Sequence, residues 1–285
     1  MNILKAYLNL TKPTIMLLVV FTGSAALVLE GTFLQDPVRF LLVLVGLYLA
    51  GGSANALNQY FERNIDAQMS RTQRRRPLPL AQITPIQALI FSIAIGVAGV
   101  ALFAVFFNWL TALLALGTLL FYALYYTLWL KPRTFQNIVI GGIAGAMAPV
   151  GAWTAAHGSM SWEPWILFAI VFFWTPPHFW ALAMVCKDDY EKVGLPMLPV
   201  IKGNKVTLDY IFYYTIVVVA VSLMLLITSF SWTYLLASVI LGALFLQKAW
   251  YVRRHFQMPL MKKLFGYSIV YLLALFAVII VDGLV

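Results

Sequence analysis

Long, continuous apolar runs separated by short polar segments organise this chain. Nine of them, at 13–30, 38–62, 84–106, 110–130, 136–156, 163–186, 206–228, 232–251 and 264–284, match the roughly 20 helical residues that cross a bilayer. A transmembrane barrel needs short strands of alternating polarity, so the pattern predicts an all-α, polytopic membrane protein of nine transmembrane helices. No polar tail, Ser/Gly linker or low-complexity run divides it, and residues 1–285 read as a single transmembrane domain. The first run follows only Lys5 and Lys12 and reads as a retained span. With no transit extension before it, a prokaryotic plasma membrane is the expected location.

Charge then orients the spans. The chain is 62% hydrophobic and 10% charged, against about a quarter charged in soluble domains. If the N-terminus is cytoplasmic, 18 of the 19 Lys and Arg residues fall in cytoplasmic segments, Arg39 alone lying outside. That is the positive-inside pattern. The formal net charge of +9 therefore reports orientation in a lipid bilayer and requires no nucleic acid. The single cysteine, Cys186, excludes an intramolecular disulfide and a Cys-pair metal site.

Acids contribute little to orientation, so their placement asks for another cause. Glu30, Asp36, Glu163 and Asp282 fall on the outer side and read as solvated. Glu62, Asp66, Asp188, Asp189, Glu191 and Asp209 fall on the cytoplasmic side. Asn58, Glu62 and Asp66 recur at helical spacing within roughly an 80° arc, directly followed by Arg71, Arg74, Arg75 and Arg76. Two readings compete. The stripe can be a solvated helix end with arginines on anionic headgroups, or carboxylates holding a hard cation while arginines grip phosphate oxygens. Magnesium suits the second reading, because it takes one or two carboxylates and completes its shell from a substrate phosphate. A second acidic group, Asp188 and Asp189 with Glu191 and Lys192 behind, ends the sixth span on the same side. Together the two groups can clamp a diphosphate through magnesium. The segment at 125–137 adds Tyr126, Lys131 and Arg133, suited to neutralising a leaving diphosphate.

These segments resemble the UbiA superfamily of intramembrane aromatic prenyltransferases, and within it the branch that farnesylates heme. The phrases that carry the resemblance are LTKP at 10–13, NQYFERNID at 58–66, RTQ at 71–73, LKPRTFQNIVIGGIAGAMAP at 130–149, WTPPHFWALAM at 174–184 and KDDYEKVGLPMLPVIKG at 187–203. The resemblance implies nine helices around a central cavity. It implies that Asn58, Glu62 and Asp66 form the first metal and catalytic motif, with Asp188 and Asp189 in the second. Lys131, a further catalytic group, Arg133, Arg71, Arg75, Arg76 and Lys192 would bind diphosphate. Glu62 stands where many members carry Asp. The spacing from Arg71 to Arg76 is one residue longer than the family's, which leaves Arg75 and Arg76 unranked. Thr14 replaces an arginine often found after the N-terminal Lys-Pro.

The implied reaction is farnesyl transfer from farnesyl diphosphate to a vinyl group of heme b, with water capturing the second cation. An apolar cavity, with Phe172, Phe173 and Trp180 among its walls, would keep the allylic cation from water. His178, the only histidine within a predicted span, and Asn137 are the heme-pocket candidates. The alternative for His178 is a packed side chain bonded to carbonyls freed by Pro176 and Pro177. Gly141, Gly142 and Gly145 read as a helix-packing face. The implied partners are the bilayer and a downstream heme A synthase or terminal oxidase assembly. Two rivals remain: a relative acting on a quinone precursor or chlorin, and an anion transporter, which would carry polar elements at the midplane.

Overall fold

The computed structural model describes residues 3–285, which are helical throughout the ordered elements and contain no strand. In chain order the helices are α1 (Ile3–Leu10), α2 (Pro13–Glu30), α3 (Pro37–Phe61), α4 (Arg63–Asp66), α5 (Ser70–Gln73), α6 (Pro85–Phe106), α7 (Trp109–Leu120), α8 (Asn137–His157), α9 (Trp162–Val185), α10 (Lys187–Lys192), α11 (Leu198–Ile201), α12 (Gly203–Thr228), α13 (Trp232–Arg254) and α14 (Met258–Leu284). α7 continues as a π-helix over Phe121–Leu130. Nine of these, counting α7 with its π continuation as one, are long and apolar enough to cross a membrane. They coincide with the nine expected runs to within three residues except at the last, which begins six residues earlier at Met258, and Pro176 and Pro177 lie inside α9 without ending it.

Local chemistry sets the boundaries. α2, α3, α6 and α14 begin on proline, whose fixed φ and missing N–H suit a first turn. Asp36, Thr84, Asn108 and Ser231 accept backbone N–H groups as N-caps. Each spanning helix packs against the next in sequence, and α14 returns against α2, so the bundle closes into a ring. α2 also packs on α8 and α9 on α14, which divides the interior. Glycine permits the closest approaches: a Cβ at Gly99 would lie 2.8 Å from the Ala50 amide nitrogen, so α3 and α6 touch backbone to backbone. The polar ends of α3, the π-helix and α9 converge with the junction of α1 and α2 at one end of this ring.

A buried charge cluster at the end of the third span

Asn58, Glu62 and Asp66 do not lie on one unbroken helix. α3 ends at Phe61, Glu62 has φ −88° and ψ 5°, and α4 restarts at Arg63. The i→i−4 bonds nevertheless persist, from the Glu62 amide to the Asn58 carbonyl (2.9 Å) and from the Asp66 amide to the Glu62 carbonyl (2.8 Å). The three side chains therefore stay on one face. All are buried, at 2%, 5% and 2% exposure, where uncompensated charge is costly.

Cations from three separate segments compensate them. Lys131 bonds Glu62, and Arg76 bonds Asp66 while lying 3.8 Å from Glu62. The ammonium of Lys12 donates to Asn58 Oδ1 at 2.8 Å. The Asn58 amide in turn donates to Thr127 Oγ1 (3.2 Å), whose hydroxyl donates to the Tyr122 carbonyl five residues back (2.7 Å). The 2.8 Å bond from the Lys131 amide to the Tyr126 carbonyl follows the i→i−5 backbone pattern of the π-helix, a rare form that recurs at functional sites. Burial opposes ionisation of Glu62, yet Lys131, Arg76 and Lys12 together hold its carboxyl below the usual range. Burial raises the Asp66 carboxyl, against the pull of Arg76. Burial also lowers Lys12 well below an ordinary lysine, reinforced by Arg76 and Lys131. Lys12 was not singled out by charge patterning alone. Its signal is conformational: it precedes Pro13 yet has φ +54°, a left-handed backbone that non-glycine residues rarely adopt. Gln59 holds the end of α1 that leads to it, donating to the carbonyls of Asn9 (3.0 Å) and Leu10 (2.9 Å).

The second acidic segment reaches the same end differently. Asp189 accepts from the Ser70 hydroxyl (2.7 Å), the Ser70 amide (3.1 Å) and the Arg71 amide (3.1 Å). It thus caps α5 across 118 residues of sequence. Lys192 donates to the Gln68 carbonyl at 3.1 Å, tying the same loop. Of the pair left open by sequence, Asp189 and not Asp188 makes these contacts. Of Arg75 and Arg76, only Arg76 enters the cluster; Arg75 is exposed. No group of three or more His, Cys, Asp or Glu side chains poised to hold a metal occurs among the described residues.

A profile of the UbiA prenyltransferase family matches residues 17–276. The chain belongs to the UbiA prenyltransferase family. It is 45% identical to a protoheme IX farnesyltransferase of Picosynechococcus sp. over 285 residues, covering 99% of this chain and 90% of the relative. It is likewise 45% identical to that of Gloeobacter violaceus, covering 99% and 92%. The fold is shared with a digeranylgeranylglyceryl phosphate synthase, at TM-score 0.81 and 20% identity over 99% of both chains. It is also shared with a UbiA homolog from Archaeoglobus fulgidus bound to DMAPP and Mg2+, at TM-score 0.68 and 18% identity over 96% of this chain and 99% of that one.

Three further expected residues of this UbiA-family chain, Arg133, Asn137 and His178, make no hydrogen bond to the buried carboxylates. Arg133 folds back, donating to the carbonyls of Leu128 (3.2 Å) and Trp129 (3.0 Å) with its guanidinium over the Trp129 ring. Asn137 is fully buried and donates to the Thr134 carbonyl at 2.6 Å, leaving its own Oδ1 without a partner. His178 is stacked between Trp174 (4.3 Å) and Phe265 (4.6 Å). Its Nδ1 lies 2.8 Å from Ser268 Oγ, and that hydroxyl donates its one proton to the Phe265 carbonyl at 2.6 Å. Nδ1 is therefore the donor to Ser268, and Nε2 carries the lone pair. In place of the alternative bond to carbonyls freed by the prolines, Nδ1 makes this contact with α14.

Proposed function

We propose that this chain transfers a farnesyl group from farnesyl diphosphate to a vinyl group of protoheme IX, with water capturing the resulting cation, giving heme O and diphosphate. Full-length relatives at 45% identity that bear the name protoheme IX farnesyltransferase carry this reading. The buried cluster supplies its chemistry. Asn58, Glu62 and Asp66 present hard oxygen donors but only two carboxylates, which suits magnesium that completes its shell from a substrate phosphate; these three would hold it. When bound, the metal stabilises negative charge as the allylic C–O bond of the diphosphate breaks. Lys131, Arg76 and Lys12, which Glu62, Asp66 and Asn58 gather at this end, would add electrostatic stabilisation to the departing diphosphate as their oxygen partners turn to the metal. Asp189 acts one step removed, holding the Ser70–Arg76 loop that delivers Arg76. Apolar helix walls exclude water until the vinyl carbon attacks.

His178 serves the acceptor, its Nε2 being the lone-pair edge of a ring otherwise enclosed by Trp174 and Phe265. The polar end of the ring faces the cytoplasm, as the Lys and Arg distribution favours, and the lipid-soluble product passes to a heme A synthase or terminal oxidase assembly. The decisive experiment uses purified protein in lipid nanodiscs with heme b and farnesyl diphosphate. The expected result is magnesium-dependent release of diphosphate and a product whose mass equals heme b plus a farnesyl group plus a hydroxyl, the second proton of the added water being released. Prenylation of a quinone precursor in place of heme, or a product lacking the added oxygen, overturns this reading.

A further inference from the structure

Away from the charge cluster, the same end of the bundle carries a cleft of about 230 Å³ between the start of α12 and the end of α13, lined by Lys205, Leu208, Asp209, Arg253 and Arg254. Three cations face one carboxylate there. That carboxylate is already neutralised, since Arg253 Nε donates to Asp209 Oδ1 at 2.6 Å. The Arg253 guanidinium is held in place by the rings of Phe212, Tyr213 and Trp250, at 5.1, 5.5 and 5.6 Å. The Arg254 guanidinium lies over the Trp250 ring, 4.5 Å from its centroid. Among the described residues, neither Lys205 nor Arg254 has an ion pair or a hydrogen bond from its charged group. The cleft is thus a preformed, net-positive notch with two unneutralised cations.

Its surroundings say which anion fits. Trp250, Tyr251 and Tyr213 are exposed around it, the amphipathic rings that mark the level of lipid headgroups. From that level the exposed side chains of Ile216, Met224, Leu244, Ile240 and Leu236 run along α12 and α13, an apolar track for acyl chains. We propose that this notch is a binding site for the headgroup of an anionic phospholipid. The phosphate sits between Lys205 and Arg254, and the acyl chains lie against the α12–α13 face. Basic clefts between spanning helices have the chemistry to select such headgroups, whereas the neutral Asp209–Arg253 pair fixes the floor.

Native mass spectrometry of the full-length protein, released from nanodiscs containing phosphatidylglycerol and phosphatidylcholine in equal amounts, tests this. Phosphatidylglycerol is expected to be retained preferentially. The double variant Lys205→Gln/Arg254→Gln should reduce that retention about 25-fold, at about fivefold per cation. Lys205→Arg/Arg254→Lys should keep it. Lys262→Gln/Lys263→Gln removes the same charge outside the notch and should leave retention unchanged. Equal loss in both charge-removing pairs, or no loss in the first, overturns the site. Displacement of the lipid by millimolar inorganic phosphate also overturns it, because the notch would then be a free-anion site without acyl selectivity.

Discussion

Two acidic segments end spanning helices on the same side of the bundle, and the chain uses them in opposite ways. Glu62 and Asp66 are buried and face Lys131 and Arg76, which arrive from the fourth span's end and from the loop after α5. Asp189 is exposed enough to be solvated and bonds no cationic side chain; it captures a hydroxyl and two backbone amides of Ser70 and Arg71. The first segment organises charge, and the second organises backbone. Burial makes the difference. In a dehydrated site a carboxylate left without a cation is expensive, so the positions of Lys131 and Arg76 are fixed by Glu62 and Asp66. At the surface a carboxylate gains little from a cation and more from capping a short helix. Because Ser70 and Arg71 lead directly to Arg76, the second segment acts on the first through that loop.

The largest effect expected from this contrast follows Glu62→Gln. It leaves Lys131 charged and unpaired in a buried setting, at a cost of about 3–5 kcal/mol, and it removes a proposed metal donor, so prenyl transfer should fall at least about 100-fold. Adding Lys131→Met should recover much of the unfolding midpoint while activity stays lost. A single variant whose midpoint is unchanged breaks the idea that the buried pair fixes the site. Next comes Asp189→Asn, which weakens a cap of about 1 kcal/mol and should raise the KM for farnesyl diphosphate about fivefold with a smaller change in kcat. Asp188→Asn makes no comparable change in the loop. Equal KM effects for the two variants erase the distinction between the neighbouring aspartates.

The spans were legible because bilayer thickness imposes one length on every crossing helix, and the charge count followed from orientation. The N/E/D stripe was legible because α-helical bonds persist through the break at Glu62. What escaped were contacts made by backbone conformation. Lys12 enters the cluster through a left-handed turn that no periodicity encodes, and the π-helix that aims Thr127 and Lys131 has no residue-type signature in FYALYYTLWL. Arg133 read like Lys131 from its spacing, yet the turn after the π-helix folds it back onto Trp129. Asp189 is set apart from Asp188 only by contacts with Ser70 and Arg71, more than a hundred residues away in sequence.

A smaller effect separates two glycines that looked alike in sequence. A Cβ at Gly141 would stand 2.4 Å from Tyr126 Cε2, and Tyr126 is itself stacked on Tyr122 at 5.1 Å. Gly141→Ala should therefore cost about 1–3 kcal/mol through overpacking and lower activity by disturbing the π-helix that carries Lys131. A Cβ at Gly145 meets nothing within 4 Å. Gly145→Ala should be neutral or stabilising by up to about 1 kcal/mol, since alanine is the better helix former. Similar unfolding midpoints for the two variants would remove the π-helix contact from the account.

The smallest effect concerns acid, and it returns to the two carboxylate environments. The Ser70 hydroxyl, against a modest opposing burial and with the Ser70 and Arg71 amides assisting, holds the Asp189 carboxyl below its usual range. Its stabilisation is complete above the unfolded carboxylate value of about 3.9 and is lost as pH falls through the lower folded value. Asp66 is shifted the other way, since burial raises it. The folded chain there holds its proton to higher pH than the unfolded chain, so its contribution falls as pH rises through that interval. The two therefore oppose each other near the ordinary carboxylate range. Thermal unfolding midpoints between pH 3 and 7 in detergent, bounds chosen to bracket that value of about 3.9, should show Asp189→Asn flattening the acid decline. Asp66→Asn should steepen it, because the opposing contribution is gone. Identical pH profiles for the two variants would mean that both acids sit in the same kind of environment, which the burial of one and the backbone capping of the other deny.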